Sequence, residues 1–354
     1  MDLPLRDLHR SEGARFRDFF GWSVPASYGE VTAEHRAAMT GVGLIDRSML
    51  GKATVTGRDR ATFLQGMLSN DVKALTPGQG CPAAFLDAHG KVVSLLAVFA
   101  LEDRLLLELP AGSTEKFLQA IDKFLISEKA EFESSDNQYA IIAVQGPQAA
   151  EVLSRASGTA VELAPYAHIE VPIAGAAVRI VSRSEAVTAG YHCWTAVPHA
   201  EALWKALRAA GGVPVGMEAA QVLRVEAGLP LYGVDVDESV ILPETRLDSL
   251  VSYSKGCYIG QETVARVKYR GHINRGLAGL VLERDDLPAP GSGVLAEDKE
   301  VGRITSAVRS IALGKPIALG YVRREHFEPG AAVSVRIDDH LAGAHVAALP
   351  FVGA

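Results

Sequence analysis

Cysteine is scarce: Cys81, Cys193 and Cys257 are the only three in 354 residues. They are widely separated and odd in number, which excludes a disulfide framework and gives no CxxC spacing for a metal; a reducing, cytoplasmic setting is expected. The N-terminal MDLPLRDLHRSEG lacks the apolar core of a signal peptide, being charged from Asp2 onward, which speaks against export. Long hydrophobic runs are missing too. The longest, Val92 to Leu101, is about half a membrane span and is broken by Glu102, Asp103 and Arg104 before LLLEL resumes, the pattern of a buried hairpin rather than a membrane segment. Positive charge is not in excess: the net charge of −7 argues against broad nucleic-acid binding. The acidic loop VDVDESV lacks calcium-loop spacing.

What is present is the composition of a globular protein, 48% apolar and 22% charged, at a length that suggests two or three domains. A helix is predicted from Val31 to Gly41, ended by the glycine. The segment from Val55, VTGRDRATFL, and the segment from Val144, VQGPQAAEVL, share Val-x-Gly-x-x-x-Ala-x-x-Leu. Each reads as a strand, a glycine turn and a helix start, which hints at a duplicated α+β module. STEKFLQAIDKFL and HAEALWKALRAAGG read as amphipathic helices, and VRIVSR and YHCWTAVP as strands. A break at LERDDLPAPGSG precedes short strand-like pieces spaced about ten residues apart, the pattern of a small all-β terminal domain.

The stretch SKGCYIGQETVARVKYRG, Ser254 to Gly271, sets one thiol beside a lysine and a glycine turn, then runs into basic residues. Cys257 is either a small buried hydrophobe or a thiol activated by a helix N-terminus and by Lys255. Arg266, Lys268, Arg270 and Arg275 are either a solvated edge or an anion-capturing patch, with Glu262 the one carboxylate among them. His272 is the nearest base by position. His192 and Trp194 share one face of their strand, and Cys193 points to the other.

The octapeptide Lys255-Gly256-Cys257-Tyr258-Ile259-Gly260-Gln261-Glu262 resembles the signature of the YgfZ-type folate-binding proteins, relatives of the glycine cleavage system T-protein. The likeness covers nearly the whole chain, through GLIDRSMLGKATVTG, IIAVQGPQAAEVL, LRVEAGLPLYG and GRITSAVRSIALGKPIALGYVRR. It implies an α+β fold: a three-domain ring of T-protein type, with two related α+β modules built on antiparallel sheets and a C-terminal β-barrel. The expected boundaries are 1–135, 136–276 and 277–354.

The resemblance also implies a tetrahydrofolate, or a one-carbon derivative of it, bound at the centre of the ring. The function it implies is support of iron-sulfur cluster assembly or repair, with iron-sulfur enzymes or cluster assembly proteins as partners. Cys257 would be the working thiol, Lys255 would lower its pKa, and Gly256 and Gly260 would permit the turn. Tyr258, Gln261 and Glu262 would support it. Arg224, His192 and Ser94 are the expected folate contacts, and Arg266, Lys268, Arg270 and Arg275 would meet a polyglutamate tail or an acidic partner. The T-proteins carry a catalytic aspartate where Ser94 stands, and a pterin-gripping glutamate where His192 stands. An aminomethyltransferase or demethylase is the alternative reading, disfavoured by Ser94. An RNA-binding or tRNA-modification accessory protein, working through the basic run, is a further one.

Overall fold

The computed structural model of the chain describes residues 1–353. It opens with α1 (Arg6–Ser11), the hairpin β1 (Arg15–Phe19) and β2 (Trp22–Ser27), then α2 (Val31–Thr40), which stops at Gly41 as the sequence predicts. A short strand, β3 (Gly43–Asp46), follows.

The first module comprises β4 (Gly51–Thr56), α3 (Arg60–Met67), β5 (Gly80–Leu86), β6 (Val92–Ala100), β7 (Leu105–Leu109), α4 (Thr114–Asp122) and β8 (Glu131–Ser134). Its antiparallel sheet runs β5-β6-β7-β4-β8. The expected hairpin is β6 and β7, closed where Ala100 pairs with Leu105. The apolar stripe of α4, Phe117 and Ile121, and Phe63 and Leu64 of α3 cover one sheet face together with Leu96 and Val98.

The second module comprises β9 (Tyr139–Gln145), α5 (Ala149–Ser157), β10 (His168–Ile173), β11 (Ala176–Ser182), β12 (Gly190–Ala196), α6 (Ala200–Ala209), β13 (Val213–Pro214) and α7 (Met217–Glu226). Its sheet runs β10-β11-β12-β9-β3-β13 and is antiparallel except for the β13–β3 pair. Strand β3 therefore crosses the boundary expected at 135: the chain starts the second sheet, leaves to build the whole first module, and returns. Pairing between segments about a hundred residues apart has no local signature.

The internal repeat has a structural cause. Gly57 between β4 and α3 and Gly146 between β9 and α5 both have positive φ, and a Cβ at either would collide with a backbone carbonyl, of Lys129 and Gly41 respectively. The paired positions Val55 and Val144, Leu64 and Leu153 are all fully buried.

After α8 (Gln261–Arg270) comes the closed barrel of β14 (Arg275–Leu282), β15 (Gly293–Ala296), β16 (Lys299–Arg309), β17 (Pro316–Arg323), β18 (Ala332–Ile337) and β19 (His340–Ala347). Its first strand precedes the expected break. The proline- and glycine-rich LERDDLPAPGSG is a connection between β14 and β15 rather than a linker ahead of the barrel. The two sheets meet through Ala97, Phe99 and Leu106 on one side and Ile141, Val181 and Trp194 on the other. Helix α7 is buried along most of its length and packs on α2, β2 and the barrel strands β16 and β17. Among the described residues no helix is long and apolar enough to cross a membrane.

Candidate functional site

The loop before α8 is shaped by one glycine. Gly260 has φ +80, and a Cβ there would strike the carbonyl of Asp87 and the side chain of Leu86, so only glycine lets the loop lie against the β5–β6 turn. Gly256 is different: nothing lies within 4 Å of where its Cβ would be, so it is not required by space. Gln261 Oε1 accepts from Tyr258 N at 3.1 Å, and Ile259 N donates to Gly66 O at 3.2 Å, fixing the loop on both sides. Tyr258 is half-buried, and Glu262 is exposed in the first helical turn. Cys257 is exposed, unlike Cys193, which packs in the second module's core.

Lys255 does not serve the thiol as expected. Its ammonium donates to Gln65 O and Leu68 O at 2.6 Å each and to Asn70 O at 3.0 Å, capping the carbonyl end of α3. It also lies 4.9 Å from the ring centre of Tyr258. Burial lowers its pKa to about 8, against the pull of Asp71 and Cys81. Lys255 also favours the thiolate of Cys81, but burial outweighs it and pushes that thiol up to about 12.

Of the three expected folate contacts, Ser94 is set apart, whereas Arg224 lies within electrostatic reach of Arg47, whose partner Glu185 contacts His192. Ser94 pairs with Phe85 and shares a face of β6 with Leu96 and Val98, so it faces the first module's own core. Its hydroxyl makes one long bond, 3.3 Å to Leu95 O. Glu108 of β7 lies on the opposite face of that sheet with Leu106, toward the second module, where it meets His192 of β12.

His192 is 0% exposed and locked between carboxylates. Its Nδ1 donates to Glu108 Oε2 at 2.8 Å, and its Nε2 lies 3.2 Å from Glu185 Oε1 in an ion-pair contact that lacks hydrogen-bond alignment. Arg183 Nη1 donates to Glu108, and Arg47 Nε donates to Glu185 Oε1 at 2.9 Å. Burial opposes the charge on His192, but Glu108 and Glu185 together outweigh it and raise its pKa. Burial likewise opposes ionisation of Glu108, and Arg183 and His192 overcome it and hold that carboxyl below its usual range. The result is a cluster in which Arg183, His192 and Arg47 alternate with Glu108 and Glu185 and bridge the two sheets. Sequence reading missed it, although a glutamate inside LLLEL and the charged SRSE ahead of β12 were its visible signals.

Arg224 lines a cavity. This hollow of about 800 Å3 lies between α7 and the barrel and is bounded by Arg17, Glu218, Gln221, Arg224, Ser306 and Arg309. The guanidinium is already engaged: Nη1 with Asp235 Oδ2 at 2.9 Å, Nη2 with Ser306 Oγ at 2.8 Å, and Nε with Gln221 Oε1 at 2.6 Å. Two residues on, Glu226 accepts from Ser310 Oγ and contacts His35 Nε2, both at 2.6 Å. Arg224 and Glu226 therefore tie α7 to the barrel separately, rather than pairing with each other.

The basic run divides. Arg266, Lys268 and Arg270 are exposed on α8 and enter no ion pair among the described residues; Lys268 lies over Tyr253 at 4.9 Å. Arg275 leaves this patch. It is half-buried on the barrel, paired with Glu244 at 3.2 Å and stacked on Tyr321 at 5.3 Å.

The fold and these positions bear comparison with known proteins. Residues 5–255 match the GCVT N-terminal domain, and residues 275–353 match the glycine cleavage T-protein C-terminal barrel domain. The aminomethyltransferase of Bacillus subtilis (strain 168) is 32% identical, with 98% of each chain covered. That of Chloroherpeton thalassium is 31% identical, over 99% of this chain and 98% of the other. The crystal structure of glycine cleavage system aminomethyltransferase T from Bartonella henselae superposes with a TM-score of 0.91 at 26% identity, covering 99% and 98% of the two chains. Together with the two modules and the six-stranded barrel, these matches establish that the chain belongs to the glycine cleavage T-protein (aminomethyltransferase) family, whose function is folate-dependent.

Proposed function

We propose that this chain is a YgfZ-type accessory member of the T-protein family, supporting iron-sulfur cluster assembly or repair, and not an aminomethyltransferase. What supports this reading is Ser94, which stands where the T-protein resemblance implies a catalytic aspartate: it offers no carboxylate, and its hydroxyl faces the first module's core. A hydroxyl of ordinary pKa is no general base near neutral pH.

The pterin position has also changed. His192 spends its Nδ1 on Glu108 and holds its Nε2 3.2 Å from Glu185, so the residues there do not fit a pterin held as the T-protein resemblance implies. The hollow beside Arg224 does fit a folate by volume, since pockets for ligands of that size run to roughly 300–1,000 Å3. Arg224, Gln221 and Ser306 would line it, and no chemical step is assigned to the ligand there. The working group in this reading is Cys257, presented to solvent on a loop held by Gly260 and Gln261. Arg266, Lys268 and Arg270 beside it favour approach of an acidic partner surface.

The test is complementation. In cells lacking the native protein, Cys257→Ser is expected to lose support of iron-sulfur enzyme activity while accumulating as folded protein; full support would remove the thiol from the function.

A second reading, aminomethyl transfer, is favoured by the names of the full-length relatives. It requires formation of methylenetetrahydrofolate from an aminomethylated lipoyl carrier. None above background is expected, and measurable formation would establish this second reading in place of the first.

A further inference from the structure

The displaced Arg275 draws attention to the outer face of the barrel. In register, Arg275 of β14 pairs with Arg323 of β17, and Tyr321, two residues back on β17, pairs with Arg303 of β16. Directly paired residues, and residues two apart on one strand, project to the same side of a sheet. Three guanidinium groups and one phenol therefore rise from one face. They line a hollow of about 300 Å3, with Glu300 on its rim.

Like charges opposite one another on a sheet repel, so the cluster calls for a counter-charge. Arg275 has one in Glu244 at 3.2 Å. Arg323 is exposed and enters no ion pair among the described residues, and Arg303 has only a 3.5 Å contact from Nη2 to Ser239 Oγ, with Asp237 acting on it from further off. The floor supplies an independent observation. Tyr321 is 1% exposed, and its hydroxyl is buried without a hydrogen-bond partner. An unmet buried hydroxyl is costly, by about 1–3 kcal/mol, and native folds rarely leave one without reason. Burial also raises its pKa, so at neutral pH it stays a donor.

We propose that this hollow is an anion site for a phosphomonoester, its phosphoryl group held by Arg303 and Arg323 and by the Tyr321 hydroxyl. Guanidinium forks match phosphoryl oxygens in pairs, which is why the chemistry favours phosphate over a single carboxylate. Arg275, stacked on the Tyr321 ring and anchored by Glu244, holds the floor in place. Glu300 on the rim accepts a hydroxyl of the ligand's organic part and repels a second anionic group there. The site is separate from the Arg224 cavity and from the Cys257 loop, and it stands whether or not the folate reading does.

The test uses the full chain at low salt, titrated calorimetrically with glycerol 3-phosphate and with inorganic phosphate. Saturable binding is expected for both, weakened at least tenfold in Arg303→Gln and in Arg323→Gln, and severalfold in Tyr321→Phe. Arg303 and Arg323 are exposed, so these two variants are expected to melt as the wild type does and to report on binding even where the tyrosine variant is destabilised. No saturable binding, or unchanged binding in both arginine variants, would overturn the site. Glutamylglutamate binding as tightly as glycerol 3-phosphate would overturn its phosphoryl specificity.

Discussion

His192 and Cys257 both sit where the family likeness marks a functional residue, and their surroundings are opposite. Around His192 the ionisable groups are buried and answered by one another: two carboxylates meet one imidazole ring and two guanidinium groups across the junction of the two sheets. Around Cys257 the thiol is open to solvent, and the nearby lysine is turned to the end of α3. The first region holds its ionisable groups in a closed set; the second leaves a thiol exposed to solvent. The difference teaches that two residues singled out by one likeness can sit in opposite surroundings.

Breaking the closed region has the largest expected effect. Glu108→Ala leaves Arg183 and His192 without their shared carboxylate inside the protein, and removing one partner of a buried ion pair costs about 3–5 kcal/mol. Arg183 is partly open to solvent, so a loss near the lower end is expected in urea denaturation. An effect below about 1 kcal/mol would mean that the cluster is not what joins the sheets.

At the open region the corresponding change is Gly260→Ala. It places a Cβ against Asp87 O at a positive φ, with an expected loss of about 1–3 kcal/mol, read by thermal unfolding, and faster proteolysis before α8.

The pH dependence of stability separates the two regions again. The folded pKa of His192 is raised, so its contribution is fully present below the unfolded value near 6.5 and is lost as pH rises through the folded one. The folded pKa of Glu108 is lowered, so its contribution is present above the unfolded value near 4.5 and is lost as pH falls through the folded one. The cluster is therefore fully effective between these two values. His192→Gln is expected to flatten the alkaline decline in stability, followed by denaturation at several pH values, whereas Cys257→Ser is expected to leave it unchanged.

Lys255 combines a stability loss like that of Gly260→Ala with the smallest expected effect, that on thiol reactivity. Its replacement by Met removes three hydrogen bonds at the end of α3 and is expected to cost about 1–3 kcal/mol. The rate at which Cys257 reacts with a disulfide reagent should change by less than about twofold, and one fast-reacting thiol per native chain is expected, because Cys193 is buried and Cys81 half-buried with a raised pKa. A much slower Cys257 in this variant would restore the activating role first expected of Lys255.

Local signals carried the sequence reading furthest. The matched glycines at 57 and 146, the Gly41 stop of α2, the β6–β7 hairpin and the Gly260 turn each depend on residues within a few positions, and each is legible for that reason. The insertion of β3 into the second sheet and the meeting of Glu108 with His192, 84 positions apart, depend on register between distant strands. Alternation says which face a residue takes and says nothing of what waits across the gap. The same limit explains Arg275, adjacent to the α8 patch along the chain and yet part of the barrel in space.

The most direct measurement sets the two regions against each other in one experiment: iron-sulfur enzyme activity in cells that lack the native protein and carry either Ser94→Ala or Cys257→Ser. Ser94→Ala is expected to restore activity as the wild type does, and Cys257→Ser is expected to restore none; restoration by Cys257→Ser with failure of Ser94→Ala would contradict the assignment of function to the open thiol.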